Sequence, residues 1–223
     1  MAVVRTFTLP HYEAYPVHIA LFKDVNNAAY LRSQLLEANP AFDYAFLDAQ
    51  MTFNNEYLMQ QILSPAHLLT STFLTLHALH THRQKTRTPH SELVFRLSPN
   101  NNIGESYKKF GLSDTTTDLI AVKLPLRSEG DDWVVDAAIT NDSVRCHLGS
   151  VVEGTSVEIG EDGEELGMAC DVDKVRKMYK LSADGAAKKG KKGALVNGHG
   201  GEKKDARKEM ESVILGTIAL KGS

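Results

Sequence analysis

The chain has 223 residues with a formal net charge of −3, and 42% of its residues are hydrophobic, which suits one domain with appendages and an ordinary core. The near-neutral charge excludes a histone-like binder of nucleic acids. Two cysteines, Cys146 and Cys170, can form neither a zinc site by themselves nor a disulfide framework, which favours a reducing compartment. No apolar run predicts a membrane span, and the first residues predict no signal peptide.

The first half of the chain predicts strands at 3–9, 17–22 and 44–48. Helices are predicted from Asn26 to a stop at Asn39-Pro40, around 54–63, and over 65–83. Ser64 followed by Pro65 has the pattern of an N-cap and a first helical residue. The long helix after them has one apolar stripe, so we expect it to face the core.

The second half begins with a predicted strand at 91–97, because Leu93, Phe95 and Leu97 would share one face of an extended chain. Asn102 and Glu105 have capping-box spacing and predict a short helix over 103–110, with Gly111 as a left-handed C-cap. A strand is predicted at 118–124. Together these segments predict a β-loop-α-β unit.

Beyond Pro125 the patterns weaken. Residues 140–153 and 171–181 are predicted to be helical and residues 154–167 a loop. Residues 183–204 are rich in glycine and lysine and predict a disordered insertion, and residues 205–220 predict a final amphipathic helix. The expected domain plan is therefore a single α/β domain over 1–182, the insertion, and a C-terminal helix over 205–223 that docks on the domain or on a partner.

Charge is unevenly distributed along the sequence. The net charges of residues 1–82, 83–110, 111–170 and 171–223 are −3, +4, −10 and +6 respectively. Residues 83–110 are thus a basic island in an acidic body, and local potential decides whether an anionic polymer docks. A solvated surface is the alternative interpretation of the island.

Several patterns that could indicate catalysis or metal binding are incomplete. Gly185 to Lys191 matches most of a phosphate-binding loop, but Lys192 stands where a Ser or Thr would hold magnesium, and the lysine pairs there could equally be a nuclear-import signal or a linker. His77, His80 and His82 lack a further metal ligand nearby and are expected to interact with helix-end carbonyls. Cys146 and His147 are adjacent on a predicted helix and diverge. We therefore expect no catalytic residues, no metal and no cofactor.

The basic island also contains an asparagine-rich loop at the start of a helix, where free backbone N–H groups can bind an anion. Nearby aromatic and aliphatic residues could stack on exposed bases. The alternative is that the asparagines only cap a turn and a helix.

Five sequence blocks resemble the PRPK-binding protein family (TPRKB), the small regulatory subunit of the KEOPS/EKC complex. They appear in the family's order and cover most of the chain, whereas residues 126–170 match poorly and 183–204 are an insertion. The blocks are Leu21 to Ala28, Lys85 to Thr88 with Ser91-Glu92, Leu97 to Ile103, Lys108 to Ser113, and Val175 to Ser182.

The resemblance implies an α/β (α+β) fold, with a small mixed, mostly antiparallel sheet packed with several helices. It implies a non-catalytic subunit of a complex that attaches threonylcarbamoyl to the adenosine beside the tRNA anticodon and is linked to telomere maintenance. In this family the subunit binds and stimulates the PRPK-type kinase/ATPase and recruits tRNA through its CCA tail, beside a separate threonylcarbamoyltransferase. The expected location is nucleus and cytoplasm.

Two candidate sites follow from the residues and the resemblance together. The predicted tRNA site comprises Lys85, Arg87, Asn100, Asn101, Asn102, Lys108 and Lys109. The predicted kinase-binding site comprises Val175, Tyr179, Val213, Ile214 and Ile218, with a role in the chain's own core as the alternative. Three other functions remain open: a scaffold of the same complex without tRNA contact, a general single-stranded RNA-binding module, and a small-molecule enzyme.

Overall fold

The computed structural model describes residues 1–49, 64–167 and 201–221. The predicted helices at 54–63 and 171–181 and the phosphate-loop-like segment lie outside these ranges, as does the predicted disordered insertion up to residue 200. The described strands are β1 (Arg5–Phe7), β2 (Val17–Lys23), β3 (Ala45–Asp48), β4 (Leu119–Lys123), β5 (Leu126–Glu129), β6 (Asp132–Val135) and β7 (Thr155–Val157). The described helices are α1 (Ala28–Leu36), α2 (Pro65–His80), α3 (Pro89–Leu97), α4 (Ile103–Phe110), α5 (Asn141–Val151) and α6 (Gly201–Ala219), with 3₁₀ turns at Pro40–Phe42 and Glu164–Gly167.

The main sheet has the strand order β1-β2-β4-β3, and β7 also pairs with β2. Every pairing within it is antiparallel. β2 is the central strand: β4 lies along one edge, while β1 and β7 share the other edge, at its beginning and end respectively. The expected small, mostly antiparallel α/β fold is confirmed.

Both faces of the sheet are buried, so β2 and β4 are apolar along nearly their whole length. On one face the core includes Ile19, Leu68 of α2 and Leu93 of α3. On the other face it includes Phe22, Leu31 of α1 and Leu148 of α5. The sheet therefore lies between two layers of helices, and α2 and α3 belong to the same layer.

Helix α2 begins as its sequence predicts, because the Ser64 hydroxyl accepts a hydrogen bond from the His67 amide and Pro65 occupies the first turn. Its apolar stripe faces the core, where Leu68 and Leu76 are buried. Among the described residues, no helix is both long and apolar enough to cross a membrane.

The predicted strand at 91–97 is wrong, because this segment is helix α3. Thr88 caps it by accepting from the Ser91 amide, and Pro89 follows in the first turn, the same signal that starts α2. Residues 92–97 are all buried, so the helix has no polar face that would reveal a 3.6-residue period. The predicted β-loop-α-β unit is therefore two helices followed by a strand.

The predicted left-handed C-cap at Gly111 is also wrong, since the residue has an extended backbone with φ −76° and ψ 162°. Glycine is needed there for space: a Cβ atom at this position would lie 2.7 Å from the Tyr107 carbonyl oxygen. Residue 111 thus allows the chain to pass close under α4 on its way to β4.

Two further differences concern the segments beyond Pro125. Residues 126–135 form a hairpin whose two-residue turn begins at Gly130 with φ +65°, the position that prefers glycine in a type II′ turn. The predicted loop at 154–167 contains β7 and a 3₁₀ turn. The final helix runs from Gly201, four residues before its predicted start at 205, and Glu202, Lys203 and Lys204 are good helix formers.

Candidate functional site: a basic loop beside a cleft

Residues 81–88, which we call the basic loop, connect α2 to α3 and present Lys85 and Arg87 to solvent. The loop is held from beneath by Glu92, whose side chain is fully buried in the first turn of α3. One oxygen, Oε2, accepts from the Lys85 amide at 2.8 Å, the Thr86 amide at 3.0 Å and the Thr86 hydroxyl at 3.0 Å. These hydrogen bonds hold the backbone at Lys85 and Thr86, so the Lys85 side chain projects into solvent from a fixed backbone position.

Sequence reasoning missed the role of Glu92. The available signal was a glutamate in the first helical turn with Arg96 four residues later, the spacing of an ion pair on a helix. The Arg96 Nε donates to Glu92 Oε1 at 2.8 Å, and both side chains are buried. The sequence predicts a strand for this segment, and residues i and i+4 of a strand are too far apart to form an ion pair. The Glu92–Arg96 pair is therefore not expected from that prediction.

The asparagine-rich loop lies between α3 and α4, and its carbonyl oxygens are used internally. Asn100 Oδ1 accepts from the Ser98 hydroxyl at 3.3 Å and the Asn102 amide at 3.1 Å. Asn102 Oδ1 accepts from the Glu105 amide at 3.0 Å and caps α4, as predicted. The side-chain oxygens of Asn100 and Asn102 therefore stabilise a turn and cap a helix, as the alternative interpretation of this loop states. Asn101 and Asn102 are nevertheless exposed at the start of α4.

A cleft of about 1030 Å³ opens between the end of α1, the 3₁₀ turn, α3, α4 and the segment that follows α4. Two of the predicted site residues, Arg87 and Lys108, line it, and Arg32 of α1 is a third cation on its wall. Arg32 pairs with Asp114 at 3.0 Å, and Lys108 lies 3.5 Å from Glu105. The apolar lining comes mainly from Leu35, Phe42, Val94, Tyr107 and Leu112.

The structure therefore brings only part of the predicted tRNA site together. Arg87 and Lys108 meet at the cleft, whereas Lys85, Lys109 and the three asparagines do not line it. Tyr107 lines the cleft while remaining partly exposed, and burial raises the pKa of its hydroxyl. This combination of apolar lining and cationic wall suits a ligand that has both a flat ring and a phosphate.

A polar cluster beneath the cleft fixes its floor. The His90 ring is buried: its Nδ1 lies 3.0 Å from Asp43 Oδ2, and its Nε2 accepts from the Leu124 amide at 3.0 Å. Burial lowers the pKa of His90, and His90 together with Lys123 lowers the pKa of Asp43 despite that group's own burial. Because Nε2 is occupied by a backbone amide, His90 serves as a structural brace for the Asp43 turn.

Three other histidines singled out in the sequence pack against aromatic side chains. His80 stacks on Tyr12 with centroids 5.6 Å apart, and His77 Nδ1 lies 3.3 Å from the Tyr12 hydroxyl, so this helix end contacts aromatic rings. His147 stacks on Tyr44, away from Cys146 as expected. Within residues 1–49, 64–167 and 201–221, no group of three potential metal ligands is found.

The predicted kinase-binding residues are divided by burial. Ile214 and Ile218 are fully buried on the face of α6 that packs on the chain's own body, where α6 contacts α2. Val213, next to Ile214 in sequence, is 46% exposed at the border of that face, and Leu220, just past the helix, is 75% exposed. Val175 and Tyr179 lie outside the described residues. In this chain the two isoleucines are core residues, as the alternative interpretation has it.

The fold and this site define an antiparallel α/β protein with a cationic cleft and a C-terminal helix docked on its body. The family model described as kinase binding protein CGI-121 matches residues 22–222, and the chain belongs to that family. The expected family membership is thereby confirmed.

Curated relatives agree over nearly the whole chain. An EKC/KEOPS complex subunit CGI121 from Phaeosphaeria nodorum is 72% identical, with 99% of this chain and 100% of the relative covered. A subunit of the same name from Aspergillus fumigatus is 38% identical and covers 99% of this chain and 97% of its own length. One from Schizosaccharomyces pombe is 29% identical over 78% of this chain and 86% of its own.

Proposed function

We propose that this chain is a non-catalytic subunit of a KEOPS/EKC complex that binds the kinase subunit and recruits tRNA. Family membership supports the kinase contact, and the names of the relatives support the complex. The observation that carries tRNA recruitment is the basic loop on the rim of an apolar cleft, because a single-stranded tail offers both phosphates and unstacked bases.

Within the cleft, Arg87 and Lys108 supply positive charge for phosphates and Tyr107 supplies a ring on which a base can stack. The CCA tail is the single-stranded end of tRNA, so we propose that it enters here. Lys85 extends the positive surface from the loop toward the rest of the RNA. Asn101 and Asn102, exposed at the start of α4, are the remaining polar candidates.

The test for RNA recruitment uses filter binding with tRNA that has or lacks its CCA tail. We expect Lys85→Glu with Arg87→Glu to weaken binding of intact tRNA at least tenfold and to reduce the salt dependence by about two phosphate contacts. The matched control is Lys23→Glu with Arg127→Glu, which makes the same charge change at two exposed residues outside the basic island. Unchanged affinity for intact tRNA would remove the proposal.

The same experiment separates the alternatives. Equal loss for tRNA with and without the tail would favour a general single-stranded RNA-binding module. Absence of tRNA binding in the wild type, together with retained kinase binding, would favour a scaffold.

For the kinase contact we propose the outer face of α6 and the residue that follows it. Val213, Gly216 and Leu220 recur at spacings of three and four residues, so they share one side of the helix. A Cβ at Gly216 would meet nothing within 4 Å, so a partner can approach the backbone closely there. This surface replaces Ile214 and Ile218, which are buried, as the candidate anchor.

A pull-down with the kinase subunit tests this surface. We expect Val213→Glu and Leu220→Glu each to weaken kinase binding while the circular dichroism spectrum stays that of the wild type. Leu36→Glu is the matched control, because Leu36 is 74% exposed, against 75% for Leu220, and lies on α1. Ile214→Glu, by contrast, is expected to unfold the chain. Full kinase binding by both surface variants would exclude this face.

Stimulation of the kinase, a role in telomere maintenance and a location in nucleus and cytoplasm are further parts of the proposal. Their support is the resemblance of the sequence blocks described above.

A further inference from the structure

The basic loop and the end of the chain are connected through Glu92, Arg96 and Lys221, whose side chains are all buried. Glu92 binds the loop amides through Oε2 and Arg96 through Oε1. Arg96 in turn donates from Nη1 to the Lys221 carbonyl at 2.9 Å. Arg96 and Lys221 are 5% and 7% exposed. A continuous set of hydrogen bonds thus runs from the residue that follows Leu220 to the backbone of Lys85.

The Lys221 side chain closes this connection on α3. Its ammonium donates to the Phe95 carbonyl and, at 2.8 Å, to the Ser98 carbonyl, and it lies 3.5 Å from the centroid of the Phe95 ring. The Phe95 carbonyl lies in the last turn of α3, where it also accepts the Ser98 amide at 3.3 Å, and Ser98 is the C-cap residue of that helix. A helix C-terminus attracts cations. Lys221 therefore caps the same helix whose first turn holds the basic loop.

The three buried side chains depend on one another, because each satisfies polar groups that would otherwise be buried without a partner. A buried charge that loses its partner is strongly destabilised, so a buried set of this kind tends to be complete or broken rather than half formed. Undocking the end of α6 would remove the Lys221 carbonyl from Arg96 and the ammonium from α3. Arg96 would then be free to turn toward water, and Glu92 would lose the cation that compensates its burial.

We propose that Lys221, through Arg96 and Glu92, makes the docked C-terminal helix a condition for the binding shape of the basic loop. Lys221 and Glu92 are positioning residues that touch no ligand. The proposal rests on the function proposed above, since the loop binds RNA and the outer face of α6 binds the kinase. The two partner sites are then linked: a protein that binds α6 beside Leu220 stabilises the docked end and strengthens RNA binding.

The same linkage must work in reverse, because coupling between two binding equilibria is reciprocal. RNA bound at Lys85 and Arg87 would strengthen kinase binding by the same factor. Couplings carried through packed networks commonly change affinity by about three- to tenfold, and that is the size we expect here.

The first measurement needs no ligand. Hydrogen exchange of the Lys85 and Thr86 amides is compared in the wild type, in Lys221→Met and in Thr217→Val. Methionine keeps the length of the side chain but removes the ammonium donor. Thr217→Val is the control on the same helix, because the Thr217 hydroxyl donates to the Val213 carbonyl and contacts none of the three charges. We expect exchange at both amides to be at least tenfold faster in Lys221→Met alone.

The second measurement is the affinity for intact tRNA over a range of salt concentrations. Lys221→Met is expected to weaken binding about three- to tenfold with an unchanged salt slope, because no phosphate contact is lost. Lys85→Gln with Arg87→Gln is expected to lower both affinity and slope. This difference distinguishes a positioning residue from a contacting one.

Unchanged amide exchange in a folded Lys221→Met protein overturns the linkage, whatever the RNA result. Unchanged RNA affinity beside faster exchange overturns it as well. If the wild type fails to bind tRNA, the proposed function fails while the exchange measurement still decides the linkage. Should Lys221→Met not fold, Lys221→Gln, which keeps one amide donor for the carbonyls, is measured instead and judged by the same outcomes.

Discussion

The Glu92 carboxylate accepts the Lys85 backbone amide at 2.8 Å from inside the protein, while the Lys85 side chain extends into solvent. One residue thus serves both as an attachment to the core and as a surface cation. Because the attachment uses the backbone, the side chain is free to contact a phosphate without disturbing the fold.

Replacing the buried carboxylate should be costly. We expect Glu92→Gln to lower the free energy of unfolding by about 3 kcal/mol or more, because Arg96 is left buried without its counter-ion. Glu105→Gln is the control, since Glu105 pairs with Lys108 at the surface and such pairs contribute about 1 kcal/mol or less. Urea unfolding of the two variants measures the difference. Equal, small losses would show that the Glu92–Arg96 pair does not hold the loop.

Lys221 should make stability depend on pH in the alkaline range. Burial and the neighbouring Arg96 lower the pKa of its ammonium from 10.5 to about 7, against the opposing effect of Glu92. Between these values the unfolded chain holds the proton and the folded chain does not, so the free energy of unfolding rises with pH. Relative to Lys221→Met, the wild type should gain at most about 1.4 kcal/mol per pH unit between pH 7 and 10. A constant difference between the two proteins over that range would contradict the lowered pKa.

His67 should make the free energy of unfolding depend on pH in the acid range. Burial lowers the pKa of this imidazole from 6.5 to about 4, and its Nε2 donates to the Leu97 carbonyl at 3.2 Å. As the pH falls from 6.5 to 4, the unfolded chain takes up a proton that the folded chain excludes, so stability is lost by up to about 3 kcal/mol. His67→Gln keeps an N–H donor and does not titrate. Thermal melts at several pH values should therefore show a shallower acid loss for this variant, and parallel curves would refute the assignment.

Alanine substitutions at two glycines should change stability in opposite directions, because one site has no space for a Cβ atom and the other has. Gly111→Ala would place a Cβ 2.7 Å from the Tyr107 carbonyl oxygen and should lower stability by about 1–3 kcal/mol. Gly216→Ala meets nothing within 4 Å inside α6 and should raise stability by about 0.5–1 kcal/mol through helix propensity. Denaturant unfolding of both variants measures whether each substitution lowers or raises the free energy of unfolding. A tolerated Gly111→Ala would mean that α4 shifts easily.

Local signals predicted several elements well. Ser64-Pro65 started α2, Asn102 capped α4, and the buried runs at 17–22 and 118–124 became the central strands β2 and β4. These features depend on a few neighbouring residues or on burial on both faces, which a single sequence reveals directly. Five of the seven predicted RNA-site residues lie outside the cleft lining because loop shape depends on contacts from elsewhere in the chain.

Features that depend on long-range packing were missed. The sequence of α3 predicts a strand because apolar residues run through the segment and every residue from 92 to 97 is buried, so no polar face marks a helical period. The local signals for a helix are its Thr88-Pro89 start and the Glu92–Arg96 spacing. The role of Glu92 follows from that helix and from the loop folding back on it. Ile214 and Val213 are adjacent in sequence, and only the packing of α6 on α2 decides which of them is buried and which is exposed.

The central strand β2 has a divided edge, and this has a consequence for how the protein behaves at high concentration. β1 and β7 occupy that edge with three residues each, and on the far side of the sheet the Phe46 carbonyl of β3 accepts the Leu112 amide at 3.2 Å. Long, flat, unpaired strands are the places where one folded chain recruits another into a growing sheet. Segments this short offer little template for such addition. The short edge strands therefore protect the chain against edge-to-edge aggregation.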